Sequence, residues 1–195
     1  MSSSGNTGAT GSWLRRLATS ITGEPRDLDE LAAILVEARE RGLIDADVLQ
    51  MLESVLEVSE IQVRDIMVPR SQMVVINRDD TADRILPIVI ESGHSRFPVV
   101  GEDRDEVAGI LLAKDLLRFF VEDEPAEFDI KECLRPAVFI PESKRLNVLL
   151  KEFRVTHNHM AIVVDEYGGV SGLLTIEDVL EQIVGDIGDE YDVDE

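Results

Sequence analysis

The sequence predicts an α+β fold made of two copies of one small unit, related by pseudo-twofold symmetry and preceded by a short helical segment. Two observations carry this. The stretch Val107-Ala-Gly109-Ile-Leu-Leu112-Ala-Lys-Asp115-Leu-Leu117 recurs as Val170-Ser-Gly172-Leu-Leu-Thr175-Ile-Glu-Asp178-Val-Leu180. The offset from Gly109 to Gly172 is 63 residues, and it holds without a gap back to His94 and His157. A repeat of this kind decides the architecture before any single element does. The second observation is the pattern inside each copy, where short apolar runs of strand length alternate with helical spacings.

Composition sets the bounds. A chain of 195 residues with 44% hydrophobic content can fill one or two compact cores. A net charge of −21 argues against nucleic-acid binding, because phosphate contacts need clustered Lys and Arg. A polyanionic ligand would need local cations or a metal counter-ion. The single cysteine, Cys133, excludes an intrachain disulfide and a cysteine zinc cluster, and it fits a reducing cytoplasm. It aligns with Ile66 in the first copy and reads as a small apolar residue. No apolar run approaches the roughly 20 residues of a membrane span, and the start does not resemble a signal peptide. A membrane process would be served from the cytoplasm.

Residues 1–26 read as a flexible polar tail, in which Trp13-Leu-Arg-Arg-Leu17 is a short candidate interfacial anchor. Residues 27–60 read as a helical segment. Asp27-Leu-Asp-Glu30 has capping-box spacing, Arg41-Gly42 ends the first helix and Asp45 starts the second. The pair is expected to pack on its own domain.

The first copy spans residues 63–121. Val63 to Met67 is a helical turn stopped by Pro69, Met73 to Asn77 a strand, and Thr81 the cap of a helix through Ile85, Leu86 and Ile90. Phe97 to Val100 and Val107 to Leu112 are buried strands, and Ala113 to Val121 closes the copy. The second copy, residues 127–185, follows the same order. It has a turn from Ile130 to Leu134, a strand from Val138 to Ile140 and a helix from Lys144 to Val155. Strands Met160 to Val164 and Val170 to Leu174 join across Asp165 to Gly169, before a closing helix from Ile176 to Val184. Glu122 to Ala126 is an acidic link, and residues 186–195 are an acidic tail.

Chemistry concentrates where the second copy's last strand meets its closing helix. Gly172 permits close approach of a backbone or a ligand. Thr175 stands at the N-cap, where a hydroxyl and first-turn amides favour an anion. Asp178 lies one turn in, and its carboxylate could accept the two hydroxyls of a ribose. The same residues are close to a capping box, which alone would explain them. In the first copy Leu112 replaces the threonine while Asp115 remains, so that aspartate has no capping partner. His94, Ser95 and Arg96 add polar groups at the edge of an apolar sheet, and Arg70 is a further cation. The matching His157-Asn-His159 has no carboxylate or cysteine at ligand spacing, so no metal site is assigned.

The doubled unit, closed in the second copy by Gly-x-x-Thr-x-x-Asp, resembles a cystathionine-β-synthase (CBS) domain pair, or Bateman module. Longer motifs resemble the CorC/HlyC family, which is associated with magnesium and cobalt efflux. They are Val63-Arg-Asp-Ile-Met-Val-Pro-Arg-Ser-Gln-Met73, Glu91-Ser-Gly-His-Ser-Arg-Phe-Pro98, Val138-Phe-Ile-Pro-Glu-Ser-Lys144 and Asp165 to Asp178. The resemblance covers about Asp27 to Glu195. It implies a tandem of βαββα repeats with adenine nucleotides, ATP or AMP, bound in the clefts. Mg2+ is expected with them because the acidic surface favours a nucleotide that carries less negative charge.

Carried over, Thr175 and Asp178 hold ribose and phosphate. His94, Ser95, Arg96, Phe97 and Pro98 line the adenine and phosphate path, and Met67 and Val68 close the base pocket. The second cleft, with Asp115, His159 and Met160, is expected to be weaker because of Leu112. The resemblance also implies a homodimer through the CBS repeats and a membrane transporter as partner. The place implied is the cytoplasm, peripheral at the inner face of the plasma membrane. Family members often carry an N-terminal membrane domain and a further C-terminal domain, so a chain ending at Glu195 is expected to be a truncated form or a short variant.

The expected function is a regulatory module that senses ATP or AMP. The alternative is an interaction scaffold with vestigial clefts. No nucleophile–base pair and no Walker loop point to an enzyme.

Overall fold

A computed structural model describes Pro25, residues 27–121 and residues 129–185, the side chains of 118–121 excepted. The tail before Pro25 with its Trp13–Leu17 anchor, the link Glu122 to Ala126 and the acidic run 186–195 lie outside the described residues. So do the side chains of Phe119 and Phe120 on the closing helix. By contact the chain divides into two units, residues 1–56 and 57–195.

The first unit holds α1 (Leu28–Glu40) and most of α2 (Ala46–Val58). Asp27 caps α1 by accepting from the amide of Glu30 at 2.8 Å, and Asp45 accepts from the amide of Val48 at 2.8 Å. Gly42, at φ +70°, supplies the left-handed residue just past the α1 C-cap.

The second unit contains the repeats. The first runs α3 (Val63–Ile66), β1 (Val68–Pro69), a 3-10 turn (Arg70–Gln72), β2 (Ile76–Asn77), α4 (Ala82–Ser92), β3 (Arg96–Val100), β4 (Val107–Leu112) and α5 (Ala113–Val121). The second runs α6 (Ile130–Cys133), β5 (Phe139–Pro141), α7 (Leu146–Thr156), β6 (Met160–Val164), β7 (Val170–Thr175) and α8 (Ile176–Val184). The α+β tandem repeat is therefore present. The second copy's leading strand is displaced by one residue from the expected Val138 to Ile140, and the first copy's is shorter than the sequence suggests. Only Ile76 and Asn77 pair with β3 in the first copy, because Met73 and Val75 instead turn into a core between the sheets.

The copies exchange their leading segments. One sheet has the order β1-β7-β6-β5, so β1 of the first copy lies antiparallel on β7 of the second, with Val68 opposite Leu173. The other sheet has the order β2-β3-β4, and Arg135 adds an antiparallel bridge to Ile110 of β4. Packing follows the exchange. Val63 is buried in the second copy's core with Ile140, Leu146, Phe153 and Val179, and Met67 packs against that cluster. Ile130 is buried in the first copy's core with Phe97, Leu111 and Leu116, and half-buried Cys133 packs there too. A third cluster, with Met73, Ile110, Met160 and Leu173, joins the two sheets. Each exchanged strand needs a glycine beneath it. A Cβ on Gly172 would sit 2.4 Å from the carbonyl oxygen of Val68, and one on Gly109 would sit 2.7 Å from that of Arg135.

Polar contacts reinforce the joint. Arg70 pairs with Asp105 at 2.8 Å and Asp103 at 3.2 Å. Asp105 also accepts from the amide of Val170 at 2.8 Å. Arg70 is thus held by the β3–β4 turn and does not line a cleft.

Candidate nucleotide cleft

Two clefts open at the ends of the central strands. The larger, of about 530 Å³, is lined from both copies by Val68, Gln72, Met73, Val74, Gly93, His94, Ser95, Arg96, Met160, Leu173, Thr175, Glu177 and Asp178. Six residues expected at the nucleotide site meet here: Val68, His94, Ser95, Arg96, Thr175 and Asp178. The other three stand behind it. Met67 belongs to the second copy's core, its sulfur 3.1 Å from where a Gly172 Cβ would lie. Phe97 and Pro98 are buried on β3. Phe97 supports the site indirectly, its ring 6.1 Å from that of His94.

Chain geometry explains the convergence. Gly93, at φ +67°, ends α4 in the left-handed conformation and turns the chain so that His94 and Ser95 stand exposed before β3. The exchange of β1 brings Val68 over β7, next to the start of α8. Gln72, Met73 and Val74 follow from the same exchange; Gln72 and Met73 end the motif that begins at Val63, but nothing in it placed them at the cleft. Glu177 was legible as the residue before Asp178, but its role depends on which side of α8 faces the cleft.

At the head of α8 the capping box is complete. Asp178 Oδ2 accepts from the Thr175 amide at 2.6 Å and from its hydroxyl at 2.7 Å, and the Asp178 amide donates to Thr175 Oγ1 at 3.2 Å. The Ile176 amide donates to the carbonyl of His159 at 3.0 Å. Two first-turn amides are therefore taken, and that of Glu177 has no partner among the described residues. Asp178 Oδ1 accepts no hydrogen bond from the described residues. Arg96 Nη1 stands 3.9 Å from Glu177 Oε1, and His159 Nδ1 stands 3.6 Å from the same atom. At these lengths neither contact is a direct hydrogen bond, so Arg96 is free to turn to a stronger anion.

The second cleft, about 190 Å³, is lined by Arg96, Ile110, Leu112, Arg135, Pro136, His157, Asn158, His159 and Met160. Met160 and Arg96 face both clefts. His159 lies where expected. Asp115 does not line the cleft: it is buried, with Arg135 Nη1 at 2.6 Å from its Oδ2. Among the described residues no group of three or more His, Cys, Asp or Glu is placed to hold a metal ion. No helix among them is long and apolar enough to cross a membrane.

The CBS-domain family model matches residues 63–122 and 128–185, more than half of the chain. A second model, the N-terminal region of NMB0537, matches residues 23–58. The magnesium and cobalt efflux protein CorC of Vibrio cholerae is 54% identical over 184 residues, which cover 94% of this chain and 63% of that protein. A solved CBS domain of the bacterial CNNM/CorC family Mg2+ transporter, in complex with ATP, is 43% identical. It aligns at a TM-score of 0.66 over 71% of this chain and 97% of that one. The chain belongs to the CorC family of CBS-domain proteins. Another CBS-domain pair, from Klebsiella pneumoniae with bound AMP, is 32% identical, with a TM-score of 0.57 over 64% of this chain and 99% of that one. This CorC-family chain spans about three fifths of the length of the curated relatives it matches.

Proposed function

We propose that this CorC-family chain is a regulatory module whose larger cleft binds an adenine nucleotide, ATP or AMP, and whose state of occupancy is passed to magnesium and cobalt efflux. The observation that carries the reading is the composite cleft. One cavity gathers a cation (Arg96), a helix N-terminus with an unspent amide and a carboxylate oxygen (Asp178 Oδ1) between apolar walls from both copies. These are the groups that phosphate, ribose and base need. ATP and AMP in the solved CBS relatives agree with this class of ligand.

Mg2+ enters through charge. Glu177 and Asp178 both line the cleft of a chain carrying a net −21. A triphosphate that arrives with its counter-ion meets less repulsion. The module acts by binding, with no catalytic step. The partner is a membrane transporter, reached from the cytoplasmic face of the plasma membrane, and the working form is a homodimer through the CBS repeats. Leu117 and Leu180, repeat equivalents on α5 and α8, are both exposed and suit such a contact.

The completed capping box favours a second reading, a scaffold with vestigial clefts, because it accounts for Thr175 and Asp178 without a ligand. Titration calorimetry with ATP, with and without Mg2+, separates the two. The sensor reading expects micromolar to sub-millimolar binding that strengthens with Mg2+. Absence of heat, together with an unchanged melting temperature at millimolar ATP, leaves the scaffold.

A further inference from the structure

We propose that Arg135 is the residue that keeps the second cleft from taking a nucleotide, because its guanidinium occupies the carboxylate a ribose would use; the inference rests on the nucleotide reading above. The alignment that sets Cys133 on Ile66 sets Arg135 on Val68 and Pro136 on Pro69. The structure bears out this equivalence in the backbone. The Val68 carbonyl lies over Gly172, and the Arg135 carbonyl lies over Gly109. The repeat likewise sets Asp115 on Asp178 and Leu112 on Thr175.

The two clefts therefore share a frame and differ in what fills it. In the larger one, Val68 leaves space beside Asp178, whose Oδ1 is unspent. In the smaller one, Arg135 Nη1 stands 2.6 Å from Asp115 Oδ2, and Nη2 donates to Oδ1 at 3.4 Å. The aspartate is 9% exposed and its charge is met from within the chain. The 2.6 Å contact runs off the hydrogen-bond direction, so Oδ2 is charge-paired without an aligned donor. With the guanidinium gone, Oδ2 would have no charge partner among the contacts described and could accept from a ligand hydroxyl. The cleft volumes agree, about 190 Å³ against about 530 Å³.

The experiment counts ATP molecules per chain by calorimetry in the presence of Mg2+. Wild type is expected to bind one, and Asp178→Asn weakens that event. Arg135→Val, which installs the first cleft's residue, is expected to bind two. The new event should be about tenfold weaker than the first, because Leu112 offers no hydroxyl. Adding Asp115→Asn to Arg135→Val weakens the new event and leaves the first as it was. Arg135→Met, which keeps the aliphatic stem, replaces the valine variant if melting curves show that one unfolded. Two nucleotides on wild type overturn the proposal, as does a folded Arg135 variant that gains none. No binding to wild type overturns the nucleotide reading instead, and the count on the Arg135 variants still decides the role of Arg135.

Discussion

Replacing Asp178 with Asn is the perturbation whose outcome the geometry constrains most. Oδ2 already accepts two hydrogen bonds inside the chain, from the Thr175 amide and hydroxyl. Its lone pairs are spent. A ribose can use only Oδ1, so the bidentate grip of a free carboxylate is not available. A charge-assisted hydrogen bond contributes about 1.5–3 kcal/mol and a neutral one about 0.5–1.5. The single oxygen of Asn stays on the Thr175 amide and puts an NH2 where Oδ1 stood, which can only donate to a hydroxyl oxygen. Exchanging the charge-assisted bond for a neutral one thus costs about 1.4 kcal/mol for each hydroxyl held there. That is about tenfold in Kd for one hydroxyl and about a hundredfold for two.

Asn still offers an oxygen to the Thr175 amide, so the cap survives in weaker form. What is lost is a negative charge at a helix N-terminus, about 0.3–1 kcal/mol. For a chain of this size that lowers the melting temperature by roughly 1–4 °C. Calorimetry with ATP and Mg2+ and a melting curve on the same sample measure both quantities. An unchanged Kd with a lowered melting temperature would refute the ribose role and leave Asp178 as a cap alone.

Gly172→Ala forces a Cβ to within 2.4 Å of the Val68 carbonyl. Such crowding costs about 1–3 kcal/mol, so the melting temperature is expected to fall by roughly 2–12 °C; an unchanged value would mean β1 can leave β7 freely. Phe97→Leu trims a fully buried ring behind the cleft. It is expected to cost about 1 kcal/mol of stability while moving the ATP Kd by less than about threefold, and a larger change in Kd would place the ring in contact with ligand. Glu177→Gln removes a carboxylate 3.9 Å from Arg96, which would repel a phosphate bound on that cation by about 1–3 kcal/mol. ATP binding without Mg2+ should then strengthen roughly tenfold, and a gap between the two conditions as wide as in wild type would show that the ion acts elsewhere.

Much of this was legible because the repeat is written in contiguous residues. The strand Gly172-Leu-Leu and the cap Thr175 announce themselves by hydropathy and spacing, and so does their counterpart at Gly109. Gly172 was readable as a point of close approach. That the approaching group is the backbone of the other copy was not, because strand exchange is a long-range choice that no local pattern encodes. The same gap hid Gln72, Met73 and Val74. It also separated Met67 from Val68, which stand next to each other in sequence but face a core and a cleft. Phe97 and Pro98 share the strand with Arg96, yet both are buried while Arg96 turns out to the cleft. The Arg135–Asp115 pair spans 20 residues and two copies, so Asp115 read only as a carboxylate without a capping partner and nothing local pointed to Arg135.

The exchange also explains how a small ligand could have a large effect. The walls of the cleft come from β1 and the 3-10 turn on one side and from β7 and α8 on the other, so a nucleotide touches the joint between the copies. The joint is held by the part-exposed Arg70–Asp105 pair, by the bond of Asp105 to the amide of buried Val170, and by apolar packing in all three clusters. Exposed ion pairs contribute about 0–1 kcal/mol each. A ligand present at a hundred times its Kd contributes about 2.7 kcal/mol to the state it binds. That exceeds what the polar contacts can supply, but it acts only through the difference in affinity between two arrangements of the copies. On the proposed function, the nucleotide therefore needs a cleft better formed in one arrangement than in the other. The residues that would set this difference are those contributed across the exchange, Val68 and Met73, more than the cap residues that α8 carries in either state.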